Sequence, residues 1–304
     1  MKKLFYVFLS LLTIYLVYTY KDTIIEYIVF NFIYKVDEVS SNHNEYKLDY
    51  NYSYVKQTVD FTPSNKEDII NIIYTGLNNG WDKISFYCSN EYENCMEDVK
   101  TITNDKLALS NINNFVHPFN SYYKLNMTIN NLGKVDIEII KLYGNDEIIL
   151  INNKVNEILK NNITDTMTQR EKIKVIHDYI INNNRYDSGR ANNLNNPDYI
   201  GYKSHTAYGP LFEGYAICSG YSDLMAIFLN KLGIPNYKIS TDKHVWNLVY
   251  IDNNWYHLDL TWDDPVVNTG ENILLDKFFL ITTKDLQEID TNEHLFDKNI
   301  YKEA

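Results

Sequence analysis

An α+β fold is what this sequence predicts, and two observations carry the prediction. Residues 51–162 mix period-two and period-3.6 hydrophobic segments. Residues 163–304 place an apolar helix ahead of two alternating segments joined by a two-residue turn. At 304 residues the chain has room for one large domain or two modest ones. Its formal charge of −12 and its lack of a basic run exclude nucleic acid and disfavour an anionic membrane surface as partners.

Residues 1–22 read as a signal anchor. Lys2 and Lys3 precede uncharged, mostly apolar residues from Leu4 to Tyr20, at the lower length limit of a spanning helix. No small-x-small cleavage site follows, so the expectation is a single-pass membrane protein with its bulk outside the cytoplasm. Secretion after signal cleavage is the alternative. The stretch 23–34 contains Glu26 and is too short to span. With the polar residues up to 50 it forms a juxtamembrane segment and linker.

Residues 51–162 read as a small α+β domain without a catalytic constellation. "YSYVKQTVDF" alternates like a strand, and "SNKEDIINIIYTGLNNG" is an amphipathic helix with Ser64 as its cap and Gly80 near its end. "DKISFYC" is a second strand, followed by a helix around 91–103. A hairpin turning at Asn131-Leu132-Gly133 and a helix near 147–160 complete the domain. The chain has three cysteines: Cys88 and Cys95 lie close together and Cys218 stands apart. In an exported protein this pattern suggests a short Cys88–Cys95 disulfide and a free thiol.

The second unit, 163–304, begins with a capping-box pair, Thr168 and Glu171, ahead of a helix whose buried stripe is Ile173, Ile176 and Ile180. His177 beside that stripe reads as structural. A long loop over 184–210 is expected to face substrate. From Ser219 the pattern is helical, with Tyr221, Leu224, Met225, Phe228, Leu229 and Leu232 on one face; Gly233 and Pro235 end it. Cys218 therefore sits in the first turn, where unpaired N–H groups and the helix dipole favour a thiolate and can hold an oxyanion. Gly214 and Gly220 would let backbone approach a ligand. A buried, inert cysteine is the competing reading.

The partners come from "DKHVWNLVYIDNNWYHLDLTWDDP". With Asp252-Asn253 as the turn, Ile251 faces Asn254, His244 faces Thr261 and Asp259 faces Trp246. His244 and Asp259 then become diagonal neighbours on one face, and a one-residue slip would separate them. A thiolate at a helix start needs such a base and orienter. His257 shares the face of Asp259 and is the rival base. Trp246 and Trp255 read as core or pocket wall, and Asp263 and Asp264 as turn caps. Tyr208 in the preceding loop is a weak oxyanion candidate.

"AICSGYSDLMAIFLNKLGIP", "HVWNLVYIDNNWYHLDLTWDDP", "KIKVIHDYIINNNRYD" and "TAYGPL" together resemble the transglutaminase-like superfamily in its bacterial branch, over roughly 165–265. The resemblance implies a papain-like core, a cysteine-bearing helix packed on an antiparallel sheet. It also implies Cys218 as nucleophile, His244 as base and Asp259 as orienter. Lys243 precedes the histidine, and Val245 stands where Ala is common; neither touches the triad. Such a family covers amide-forming transferases and peptidases or amidases, so fold and triad leave the reaction open. The expected substrate is a peptide, protein or cell-wall amide, handled without cofactor or metal. Substrate or oxyanion contacts would fall to Tyr208, Gly220 and Trp246. Acyl transfer to an amine and a non-catalytic surface-binding module are the alternatives.

Overall fold

A computed structural model describes residues 2–28, 44–130, 132–194, 196, 200–265, 275–290 and 292–304. Asn131 of the expected hairpin turn and parts of the linker and of the 184–210 loop lie outside the described residues.

Helices α1 (Lys2–Thr19) and α2 (Lys21–Ile28) open the chain. Among the described residues no helix is long and apolar enough to cross a membrane, so the expected spanning anchor is not supported. The 18 residues of α1 begin with two lysines. The uncharged remainder rises about 24 Å at 1.5 Å per residue, short of a hydrocarbon core of about 30 Å.

The next region carries α3 (Lys66–Asn78), β1 (Lys83–Tyr87), α4 (Cys95–Asn104), α5 (Lys106–Asn113), β2 (Tyr122–Ile129), β3 (Lys134–Lys141) and α6 (Asn145–Asn162). The strands form an antiparallel sheet in the order β1-β3-β2. Two local expectations are corrected. The α3 cap is Asn65, whose side chain accepts from the Asp68 N–H, while Ser64 donates to the Asp68 carboxylate. Residues 52–61 form no strand. Their N–H groups go to side chains instead: Lys56 to Asn71 Oδ1, Thr58 to Thr75 Oγ1 and Ser53 to Glu303 Oε1. Backbone donors satisfied this way need no neighbouring strand.

Then follow α7 (Gln169–Asn182), β4 (Arg185–Tyr186), α8 (Ser188–Ala191), β5 (Tyr215–Ala216) and α9 (Cys218–Lys231). The Thr168/Glu171 capping box starts α7. Gly233, at φ +68°, follows α9. Strands β6 (Asn236–Ser240), β7 (Val245–Ile251) and β8 (Asn254–Leu258) make a second antiparallel sheet, on which α9 packs. The β7–β8 register pairs Ile251 with Asn254 and Leu248 with His257, as alternation and turn length require. Asp252 and Asn253 sit at φ 51° and 60°, the left-handed pair that such a turn needs. The pairing stops at Asn247–Leu258. The expected His244–Thr261 pair does not form, because Asp259 caps the short helix α10 (Leu260–Asp263). A last helix, α11 (Thr283–Ile289), leads to the C-terminal segment.

Two hydrophobic cores hold these layers. One joins Ile72, Phe86 and Ile137 to Ile239, Trp246 and Leu248. The other packs Ile151, Val155 and Ile158 of α6 against Ile173, Ile176 and Ile180 of α7 and Leu224, Met225 and Phe228 of α9. Each core draws on both sides of residue 162, and β7 contributes to both, Trp246 and Leu248 to the first and Val249 and Ile251 to the second.

Candidate active site

Cys218 is the first residue of α9 and a free, half-buried thiol. The preceding Ile217 offers no side-chain cap, so the first N–H groups of α9 are not taken up by one. His244 stands one residue ahead of β7 and Asp259 one residue after β8. Continued pairing would place them diagonally, and the end of the sheet leaves them in that relation. His244 Nε2 lies 2.5 Å from Asp259 Oδ2. With Nε2 committed there, Nδ1 is the nitrogen left for Cys218, whose side chain raises the His244 pKa.

Electrostatics hold the pair in its charged form. Burial by itself would lower the His244 pKa, but the Asp259 carboxylate and the Cys218 side chain lift it to about 10. Burial pushes Asp259 up, yet the charge and hydrogen bonds of His244, and then of His294, hold it far below the ordinary carboxylate range. Asp259 Oδ1 accepts from the N–H groups of Thr261 (2.9 Å) and Trp262 (3.4 Å). The orienting carboxylate is thus anchored by the helix it caps.

The remaining candidates fall elsewhere. His257 is the acceptor for Trp246 Nε1 at 3.0 Å, and its other nitrogen meets Thr283 Oγ1 at 3.0 Å. Burial, then the nearby His294, push its pKa down to about 3, which suits a neutral structural ring rather than a base. Trp246 is 1% exposed and stacks on His244 with centroids 5.5 Å apart. It braces the imidazole from the core and offers no surface to a substrate. Tyr208 packs on Phe212 and under Lys203 Nζ, and no described contact ties it to Cys218. Asp263 and Asp264 do more than cap a turn. Asp263 Oδ2 meets His177 Nε2 at 3.2 Å and its Oδ1 accepts the Phe278 N–H, while Asp264 accepts the Tyr221 hydroxyl of α9. His177 is wholly buried, as a structural histidine should be. The Cys88–Cys95 bond is formed, closing the loop between β1 and α4.

Gly220 serves packing rather than a ligand. A Cβ there would lie 2.2 Å from the Ser204 carbonyl oxygen and 3.1 Å from that of Thr206. Both are backbone atoms, so neither yields easily. Gly220→Ala is therefore expected to destabilise the protein by about 2 kcal/mol, after allowing for the better helix propensity of alanine. Urea unfolding reads this directly; an unchanged midpoint would mean that the loop gives way freely.

Two neighbours escaped the sequence reading. Tyr186 on β4 is half-buried, and its pKa rises through burial and then through the nearby Cys218. It lies within "NNNRYD", whose local pattern carries no signal for a contact with Cys218. His294 shares Asp259 Oδ2 with His244, at 2.9 Å. A lone histidine in "NEHLFD" carries no local signal for that contact. His244, Asp259 and His294 bring ligand-type atoms within 4.8 Å of one another. Those atoms are already hydrogen-bonded together through the Asp259 carboxylate.

No curated protein matches the chain. Among solved structures, a TGase crystal structure is similar at 18% identity and a TM-score of 0.34, covering 46% of this chain and 45% of that one. A candidate cysteine protease from Cytophaga hutchinsonii is similar at 15% identity and a TM-score of 0.28, covering 50% of this chain and 65% of that one. The chain thus spans less than two thirds of either protein. Residues 156–260, which hold Cys218, His244 and Asp259, match the family described as the transglutaminase-like superfamily.

Proposed function

We propose that the protein is a cysteine hydrolase or acyltransferase acting on peptide, isopeptide or cell-wall amide bonds. The observation that carries this reading is one imidazole, His244, set between a carboxylate and a thiol at a helix start. The Cys218 thiolate attacks the amide carbonyl carbon, and the developing oxyanion is met by N–H groups of the first turn of α9. The C–N bond breaks as His244 Nδ1 gives its proton to the leaving amine. A thioester remains. Water, or a second amine, then loses a proton to His244 as it attacks the thioester carbon; the C–S bond breaks and the thiolate is restored. The extracytoplasmic setting belongs to the same proposal and is supported by the Cys88–Cys95 disulfide, a bond that persists in oxidising compartments.

The test is product analysis by mass spectrometry. The full chain is incubated with glutaminyl peptides and with cell-wall fragments, with and without a primary amine. Water-resolved products identify a hydrolase, and amine adducts a transferase. If no product forms from any amide, the fold serves as a binding module.

A pH profile checks the same chemistry. A histidine whose pKa is raised from 6.5 to about 10 keeps its charge through the neutral range and loses it as pH rises through the upper value. Its ion pair with Asp259 therefore adds stability that is complete below about 6.5 and gone above about 10. Iodoacetate is drawn by that positive charge, so its labelling of Cys218 is expected to fall near pH 10. In Asp259→Asn the fall should move down toward the ordinary histidine range. A profile indifferent to Asp259 would separate His244 from its supposed orienter.

A further inference from the structure

Beyond the segment that matches the family, the chain returns to the site. Past α11, the Asp290 carboxylate accepts the N–H groups of Asn292, Glu293 and His294, each at 3.0 Å, and so fixes a tight turn. That turn buries His294. Its Nδ1 lies 2.6 Å from Asp290 Oδ2, and its Nε2 lies 2.9 Å from Asp259 Oδ2, the oxygen that His244 Nε2 meets at 2.5 Å. A neutral imidazole has one N–H and can donate to only one of two carboxylates. A ring that satisfies both carries hydrogen on each nitrogen and a positive charge.

Resting on the thiol-enzyme reading above, we propose that His294 is a positioning residue: an imidazolium clamped between Asp290 and Asp259 that shares Asp259 with His244. It thereby sets how firmly His244 holds the proton it must give up. The charged and titratable groups facing it are Asp290 on its own turn, Asp259 at the end of β8, and His244 ahead of β7, whose ring centroid is 5.2 Å away. His257 on β8 lies within electrostatic reach. The rest of its surroundings are the rings of Trp246 (4.8 Å), Trp262 (5.1 Å) and Phe278 (5.3 Å). Few solvent dipoles lie within that wall to screen one charge from the other. Asp259 does not depend on His294 for its place, since α10 holds its Oδ1. The contribution of His294 is thus chiefly its charge. Without it, Asp259 would bind the His244 proton more tightly, and the imidazolium would become a poorer acid toward the leaving amine.

His294→Gln keeps a side-chain donor for Asp259 and removes the charge. Loss of one positive charge raises the proton affinity of every group nearby. The bell-shaped pH profile of iodoacetate labelling at Cys218, measured on the full chain, should therefore move upward by about one pH unit on both limbs. A purely structural His294 predicts an unmoved profile, and one that merely steadies Asp259 predicts a downward shift of the alkaline limb alone; either result overturns the proposal. A second measurement needs no variant. Nitrogen-15 NMR of the wild-type protein at pH 7 should show two ring N–H groups on His294, and a single one overturns the proposal even if the variant fails to fold. His244→Ala separates the two claims. If it leaves labelling unaltered, the thiol-enzyme reading falls, while the NMR result still decides the state of His294.

Discussion

Cys218→Ala is expected to abolish amide turnover, and His244→Ala to lower kcat by roughly 10³–10⁴-fold. The reason is geometric. The imidazole is the group that rests on a buried carboxylate and is electrostatically linked to Cys218, so no neighbour substitutes for it. His257, the nearest rival on β8, spends its nitrogens on Trp246 and Thr283. His257→Ala should therefore lower stability while leaving turnover of the folded enzyme close to wild type. Steady-state kinetics on the amide found by product analysis, with the folded fraction measured by circular dichroism, distinguishes these outcomes. Residual turnover in Cys218→Ala within a few-fold of wild type would remove the nucleophile assignment altogether.

Lys238→Met is expected to cost about 3–5 kcal/mol of stability, the largest loss from any single change named here. Lys238 Nζ lies 2.5 Å from Asp223 Oδ1, with side chains only 8% and 3% exposed. Asp223 is on α9, and its other oxygen accepts the Tyr143 hydroxyl, which in turn accepts the Ala207 N–H. The pair therefore ties the cysteine helix to β6 and to the loop before β5. Removing the lysine leaves a buried carboxylate with the tyrosine as its remaining partner. Asp223→Leu combined with Lys238→Met should recover much of the loss, because replacing both charges removes the desolvation penalty. Guanidinium unfolding of the two singles and the double measures the cycle. A double variant as unstable as Lys238→Met would locate the cost in packing rather than in charge.

The local grammar of the chain predicted most of the helices and the β7–β8 register. A capping box, a helix stop at Gly233 and two turn residues able to adopt positive φ act over a few residues, so their effect is readable without a partner. Where an element needs a distant partner, local pattern does not specify it. "YSYVKQTVDF" alternates as a strand does, but the side chains of α3 meet its backbone donors before any strand can. Alternation records which side chains are buried and not what pairs with the backbone. Gly220 illustrates the same limit. Its position at the cysteine helix suggested an approach to ligand, whereas the loop carbonyl of Ser204 occupies that space.

The candidate site divides along this line. Sequence alone determined that Cys218 begins a helix and that His244 and Asp259 flank one hairpin on one face, because strand period and turn length are short-range constraints. It said nothing of His294, 35 residues beyond Asp259, or of the stacking of Trp246 on His244. The His294 contact depends on how α11 and the turn at Asp290 fold back over the β7–β8 hairpin. Only the tertiary structure decides how many imidazoles share the buried carboxylate, and that number governs the charge on which His244 rests, because each donor to a buried oxygen acts with little screening.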